Sequence, residues 1–166
     1  MLFRSSDHAT TDLDTRKSVT GYLIFYNGGL ISWKTQLQKS NSSSSTESEY
    51  KAIHEASKEA IWISNILSEL DLPLIKPIVT FEDNISTINA IFNPVQHSRL
   101  KHIDIVHHQI RDWVKEHKID LIHIYRENQL ADSLNKANGP DVFIPFRNKI
   151  LSSTIDENES DQKFQN

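Results

Sequence analysis

The chain has 166 residues, of which 37% are hydrophobic and 24% are charged, and its formal net charge is −4. These values suit one globular domain with a buried core, and the net charge argues against a generic nucleic-acid binder. No run of about 18 apolar residues occurs, so no membrane span is expected. The N-terminal residues lack the charged and apolar regions of a secretory signal. The chain contains no cysteine, which excludes disulfides and cysteine-ligated zinc.

The charge is not evenly distributed along the chain. After Ser152 the tail holds four acidic residues and one lysine, so the rest of the chain is nearly neutral and has room for a local basic face. We predict one domain over residues 1–151 and an acidic, disordered tail over residues 152–166.

The first clear elements are two strands. Residues Val19–Tyr26 are rich in β-branched and aromatic types, and the apolar run Leu30–Trp33 follows an Asn-Gly-Gly sequence. Two such runs around this turn predict a β-hairpin. A further strand is predicted near Gln36–Ser40.

From Thr46 the apolar residues recur at the spacing of a helix, which we expect to end at Asp71-Leu72-Pro73. The later elements are predicted from the same rules. They are a strand at Pro77–Phe81, helices at Ile85–Ile91 and Arg99–His117, a strand at Ile119–Tyr125, and helices at Gln129–Lys136 and Val142–Leu151. Strands separated by helices favour an α/β fold, in which helices cover a mixed sheet.

Glu49 lies in the first turn of the predicted long helix, at the head of its apolar stripe. Thr46 and Glu49 have the spacing of a capping box, in which the glutamate bonds back to the start of the helix. By pattern alone this structural role is the preferred interpretation. The alternative is a functional carboxylate, because a charge at the edge of a buried stripe is costly.

Two aspartates have comparable positions. By strand alternation Val79, Phe81 and Asp83 share one face, which places Asp83 at the end of a buried row. Ligands of open α/β sheets bind at strand ends, but Asp83 or Asn84 could equally cap the next helix. Asp132 lies inside the helix predicted at Gln129–Lys136, where a solvated position is the simpler interpretation.

Carboxylates that converge from separate elements can hold two Mg²⁺ ions about 3.5–4 Å apart. Such a pair activates a water molecule and stabilises the leaving oxygen in phosphodiester cleavage. Magnesium takes hard oxygen ligands, which this chain could supply. None of the three acids is a specific signal by itself.

Six stretches from about Ser6 to Leu151 carry a stronger signal, and they occur in this order: DLDTRKSVTGYLIFYNGG, ISWKTQLQKS, SSSTESEYKAIHEASKEAIW, EDNISTINAIFNP, HSRLKHIDIVHHQIRDWV and ENQLADSLNK. Together they resemble the ribonuclease H domain of the Pol polyprotein of copia-type LTR retrotransposons. The resemblance implies a ribonuclease H-like α/β fold, with a five-stranded mixed sheet flanked by helices. It also implies Mg²⁺- or Mn²⁺-dependent hydrolysis of the RNA strand of an RNA–DNA hybrid during reverse transcription. A tether to a reverse transcriptase domain and an intracellular location, cytoplasmic or nuclear, are expected with it.

The family motifs assign the catalytic and metal-binding acids residue by residue. The second glutamate of the block TESEY is Glu49, the aspartate of the block EDNIS is Asp83, and the aspartate of QLAD is Asp132. The resemblance therefore favours a functional role for Glu49 over the capping box.

The chain departs from the family pattern at its first acid. The family strand ends in Asp-x-Asp-x-Ala-Gly and its first aspartate is a metal ligand, but here that position falls on Ser5 or Ser6. Asp7 is the nearby carboxylate and is the candidate for a fourth catalytic acid. The first strand is also expected to be truncated relative to the family. After QLAD the family has Thr-Lys-Pro where this chain has Asn135-Lys136-Ala137.

These departures leave two hypotheses that share one fold. The first is an active ribonuclease H-type endonuclease, and the second is a catalytically inactive remnant that retains at most nucleic-acid binding. A third hypothesis, an unrelated α/β interaction module, would require the six stretches to be accidental.

A basic segment precedes the second long helix. Arg99, Lys101 and His102 lie in the block HSRLKHIDI and could contact the phosphates of a hybrid. A solvated helix start explains the same charges. Zinc is not expected at the histidines of this region, because His107 and His108 point to different faces of a helix.

Overall fold

The computed structural model describes residues 1–7, 17–39, 42, 44–74, 76–92 and 104–152, without the side chains of residues 4–7, 104, 105 and 107. Within these ranges lie five strands: β1 Leu2–Asp7, β2 Val19–Tyr26, β3 Gly29–Leu37, β4 Ile78–Glu82 and β5 Ile119–His123. The α-helices are α1 Ser45–Glu69, α2 Ile85–Phe92, α3 Asp104–Lys115 and α4 Pro140–Leu151. Two short 3₁₀ helices, Arg126–Asn128 and Leu130–Leu134, lie between β5 and α4.

The five described strands form one mixed sheet in the order β3-β2-β1-β4-β5. β1 lies at its centre, antiparallel to β2 and parallel to β4, and β4 is parallel to β5. The predicted α/β fold and five-stranded mixed sheet are confirmed. Because β1, β4 and β5 run in the same direction, their carboxyl ends meet at one edge of the sheet.

Helices cover both faces of the sheet, as predicted. One face packs against α1 and α3 through two buried clusters that include Leu2, Tyr50 and Ile110. The other face packs against the second 3₁₀ helix and α4 through Phe3, Leu23, Phe25, Phe81, Leu130, Ala131 and Phe146. Among the described residues, no helix is both long and apolar enough to cross a membrane.

The hairpin between β2 and β3 forms where the sequence predicts it. Asn27 and Gly28 have φ values of 48° and 81°, which are the left-handed conformations that a two-residue hairpin turn requires. The separate strand predicted at Gln36–Ser40 is wrong, because Gln36 and Leu37 pair with β2 as the end of β3. A single nine-residue strand thus replaces two shorter ones.

The segment predicted as a helix at Gln129–Lys136 has a tighter winding than expected. It is the 3₁₀ helix Leu130–Leu134, held against the sheet by hydrogen bonds near both ends. The Gln129 side-chain amide donates to the Phe81 carbonyl at 3.4 Å, and the Thr35 hydroxyl donates to the Leu134 carbonyl at 3.1 Å. These bonds to two strands hold the segment closely against the sheet.

The ends of several other elements differ from the prediction by a few residues. The second long helix was predicted to reach His117, but α3 ends at Lys115 and His117 has a φ of 52°. Residues 93–103, where that helix was predicted to begin, lie outside the described part of the chain, and so does the acidic tail from residue 153.

Gly21 permits the close approach of the second 3₁₀ helix to β2. A Cβ at this position would lie 2.5 Å from Asn135 Oδ1 and 3.1 Å from the Ala131 carbonyl oxygen. We expect Gly21→Ala to lower the free energy of unfolding by about 1–3 kcal/mol, because the added methyl group overpacks this contact. Thermal unfolding measures the loss, with Gly29→Ala as the control, since a Cβ there has its nearest contact at 3.7 Å from the Tyr26 carbonyl. Equal unfolding temperatures for the two variants would contradict the expectation.

Candidate carboxylate site

The N-terminus of α1 is capped by Ser44. Its hydroxyl accepts a hydrogen bond from the Glu47 backbone N–H at 3.1 Å, and Glu47 forms an ion pair with Lys51 at 2.8 Å. The capping box predicted from Thr46 and Glu49 is therefore wrong, because the helix begins earlier and its N-cap is Ser44, not Thr46.

The position of Glu49 is determined by contacts between α1 and the hairpin. The buried Gln38 side-chain amide donates to the Ser48 carbonyl at 3.0 Å and to the Thr20 hydroxyl at 2.9 Å. These bonds tie the residue before Glu49 to the ends of β2 and β3. Glu49 is 8% exposed, so its carboxylate lies between the helix and the sheet.

At the end of β4 the side chains alternate between the two faces of the sheet. Val79 and Phe81 pack on the face of the 3₁₀ helix and α4, as the alternation predicted. Glu82 therefore points to the opposite face, toward α1, where it is completely buried. Its Oε1 accepts a hydrogen bond from the Asn84 backbone N–H at 2.8 Å.

Asn84, rather than Asp83, caps α2. The Asn84 side-chain oxygen accepts hydrogen bonds from the backbone N–H groups of Ser86 at 3.0 Å and Thr87 at 3.3 Å. Of the two capping residues considered for this helix, the structure selects the asparagine. Asp83 is half-buried and stands one residue beyond β4.

Glu49, Glu82 and Asp83 form one group of carboxylates. One oxygen from each lies within 4.8 Å of the others. The structure thus brings together two of the predicted acids and adds Glu82, which was missed. The sequence carried one signal for Glu82. Ile78, Thr80 and Glu82 share one face of β4 by strand alternation, and a strand that is buried on both faces buries this row as well.

This donor set fits a divalent cation. All three side chains supply hard oxygen ligands, which suit Mg²⁺ or Mn²⁺. Two of the three are buried, where charged groups occur only with a partner or a bound ion. The group at the carboxyl end of β4 is therefore the candidate metal site among the described residues.

Asp132 does not belong to this group. It lies in the second 3₁₀ helix, and its Oδ2 is 3.7 Å from Arg126 Nε and 3.9 Å from Lys136 Nζ. Its side chain is 23% exposed, so it is not fully solvated. It is not among the three carboxylates whose oxygens lie within 4.8 Å of one another. A role for Asp132 in catalysis stays a prediction.

The faces of β1 indicate which of its two serines is nearer to the carboxylates. Leu2 packs on the α1 face and Phe3 on the opposite face, so strand alternation assigns position 6 to the face of Glu82 and position 5 to the other face. The backbone of Ser6 pairs with Thr20, which is linked through Gln38 to the residue before Glu49. Position 6 is therefore where a carboxylate in β1 is expected to face Glu49 and Glu82.

Asp7 follows Ser6 at the end of β1. Its backbone pairs with Val19, but its side chain is outside the described part of the structure. The predicted nucleic-acid contacts Arg99, Lys101 and His102 also lie outside the described residues. The assignments of these four residues stay predictions.

We expect Glu82→Gln to weaken metal binding. Glutamine keeps the acceptor for the Asn84 backbone N–H but removes one negative charge from the site. A tenfold loss of metal affinity would reduce the Mn²⁺-induced rise in unfolding temperature by about 2–4 °C. Thermal unfolding with and without Mn²⁺ checks this, and a rise equal to that of the unsubstituted protein would remove Glu82 from the site.

The fold and the carboxylate group together define a ribonuclease H-like domain. The chain belongs to the reverse transcriptase-like family, whose sequence model matches residues 7–138. Within that family it corresponds to the ribonuclease H domain of retrotransposon Pol polyproteins.

Two plant sequences illustrate the relationship. The chain is 38% identical over 139 residues to the retrovirus-related Pol polyprotein from transposon RE1 of Arabidopsis thaliana, covering 84% of this chain and 10% of that protein. It is 42% identical over 125 residues to the corresponding polyprotein from transposon TNT 1-94 of Nicotiana tabacum, covering 75% and 9%. The chain therefore spans about a tenth of the length of these relatives.

Solved structures share the fold. LC11-RNase H1, crystallised in complex with an RNA/DNA hybrid, superposes with a TM-score of 0.59 at 13% identity, over 80% of this chain and 91% of that one. RNase H1 from the halophilic archaeon Halobacterium salinarum gives a TM-score of 0.56 at 12% identity, with the same coverage. At these identities the likeness concerns the fold alone.

Proposed function

We propose that this domain hydrolyses the RNA strand of RNA–DNA hybrids in a reaction that depends on Mg²⁺ or Mn²⁺. The proposal rests on one observation above all, the convergence of the Glu49, Glu82 and Asp83 carboxylates at the carboxyl end of β4. Membership of the reverse transcriptase-like family supports it, as does the likeness to an RNase H1 that was crystallised with a hybrid.

In this proposal each residue has a stated role. Glu49, Glu82 and Asp83 hold the divalent ions, while Asp132 and Asp7 are the candidates for completing the site. When bound, a pair of such ions would activate a water molecule and stabilise the leaving oxygen.

The binding of the hybrid is assigned to a different part of the chain. Arg99, Lys101 and His102 would hold its phosphates.

We also assign the chain to a copia-type Pol polyprotein, tethered to a reverse transcriptase domain. A cytoplasmic or nuclear location is part of the same proposal.

A cleavage assay tests the function. The protein is incubated with a labelled RNA–DNA hybrid and Mg²⁺ or Mn²⁺, beside the Asp83→Asn variant, which keeps the size of the side chain but loses its charge. We expect metal-dependent cleavage that the variant lacks. Cleavage no greater than that of the variant would overturn the enzymatic proposal.

The second candidate function is an inactive domain that binds nucleic acid. One observation favours it: position 6 of β1, which strand alternation places on the face of Glu82, is a serine and not a carboxylate. A serine hydroxyl is a poorer ligand for Mg²⁺ than a carboxylate, and the site has one negative charge fewer. Binding of the hybrid without cleavage, in the same assay, would select this candidate.

A further inference from the structure

Tyr125 is an exposed aromatic residue at the same edge of the sheet as the carboxylate group. We propose that its ring packs against the ribose and base of a nucleotide in the strand bound there, and so positions that strand over the site. This inference rests on the proposed function, because it takes a nucleic acid as the ligand of the carboxylate edge.

The backbone places Tyr125 close to the acid-bearing strand. β5 ends at His123, which pairs with Glu82 in the parallel register of β4 and β5. The next residue, Ile124, donates its backbone N–H to the Glu82 carbonyl at 2.9 Å. Tyr125 therefore directly follows a residue whose backbone is hydrogen-bonded to the strand that carries Glu82.

The ring of Tyr125 is exposed but held in place. It is 64% exposed, and it meets the His123 ring edge-to-face with centroids 5.9 Å apart and an interplanar angle of 75°. Its backbone is extended, with φ −69° and ψ 146°, and its carbonyl accepts the Asn128 N–H at 2.8 Å. An aromatic face that is already ordered loses little conformational freedom when a ligand packs on it.

The surroundings of the ring favour a nucleotide over an apolar partner. Its chain neighbours Arg126 and Glu127 are exposed and charged, and Arg126 is 74% exposed at its side chain. An aromatic face beside a guanidinium suits a ligand that has flat bases and phosphates. A protein interface would instead be expected to extend the apolar surface.

Binding of a hybrid without divalent metal tests the inference independently of catalysis. The Kd of a fluorescein-labelled RNA–DNA hybrid is measured by anisotropy in EDTA for the unsubstituted protein, Tyr125→Ser and Tyr125→Phe. Loss of an aromatic stacking contact is expected to raise the Kd at least about fivefold in Tyr125→Ser. Tyr125→Phe keeps the ring and should restore the Kd to within about twofold of the original.

Trp62→Ser is the matched control. Trp62 is 58% exposed and lies on α1, 13 residues beyond Glu49, which is roughly 20 Å along the helix axis. We expect its loss to leave the Kd unchanged. Thermal unfolding of each variant shows that the fold is retained, since the two serine variants both remove an exposed side chain.

Three results with the variants would overturn the inference: a Tyr125→Ser variant that binds as the original protein does, a Tyr125→Phe variant as weak as Tyr125→Ser, or equal losses in Tyr125→Ser and Trp62→Ser. Absence of hybrid binding by the unsubstituted protein would overturn it as well. The cleavage assay distinguishes failure of this inference from failure of the proposed function. A domain that binds the hybrid through Tyr125 but does not cleave it supports the inference and contradicts the proposed hydrolysis.

Discussion

Replacing Glu49 by glutamine is expected to lower metal-dependent cleavage of an RNA–DNA hybrid at least about 100-fold. The substitution keeps the size of a side chain that is 8% exposed, but it removes one of the three charges that converge on the site. A divalent ion held by the two remaining acids would be bound more weakly and in a less defined position. The rate of cleavage under single-turnover conditions measures the loss.

Glu47→Gln is the control for this experiment. Glu47 lies two residues earlier on the same helix and forms an ion pair with Lys51 at 2.8 Å, away from the carboxylate group. The Lys51 and Glu47 side chains are 24% and 12% exposed, so loss of this partly buried pair is expected to cost roughly 1–2 kcal/mol of folding free energy, and the domain should still fold and cleave nearly as before. Equal loss in the two variants would contradict the assignment of Glu49, since the effect would then belong to the start of α1 as a whole.

Replacing Ser6 by aspartate is expected to increase cleavage at least about tenfold. Leu2 packs on the sheet face that α1 covers, so strand alternation places position 6 on the same face as Glu82, and the backbone of Ser6 pairs with Thr20, which is linked through Gln38 to the residue before Glu49. The site would regain the negative charge that the family motif has at its first acid, and its affinity for Mg²⁺ should rise. Cleavage as a function of Mg²⁺ concentration separates tighter metal binding from a faster reaction.

Ser5→Asp is the counterpart of this variant. Successive strand residues face opposite sides of a sheet, so only one of the two positions can face Glu49 and Glu82. We expect the gain at position 6 and not at position 5. A gain from Ser5→Asp alone would mean that the alternation of β1 changes beyond Phe3, and no gain from either would mean that another defect limits the domain.

Much of the fold was predictable because it depends on residues that are close in the chain. The Asn-Gly-Gly turn determined the hairpin, and the helical spacing of apolar residues located α1 with its end near Asp71. The predictions were wrong where contacts between distant residues prevail. The segment Gln129–Lys136 is wound as a 3₁₀ helix that hydrogen-bonds to β3 and β4, and neither strand is near it in sequence.

The sequence by itself determined the class of domain and two members of the carboxylate group, Glu49 and Asp83, because the family motifs carry both and the family's sequence model matches most of the chain. Only the tertiary structure decided the composition of the carboxylate group. It added Glu82, left Asp132 with Arg126 and Lys136, and placed the helix cap at Ser44. The physical reason is that periodicity reports which face a residue occupies, whereas the distance between two carboxylates depends on how a helix and strands far apart in the chain are packed together.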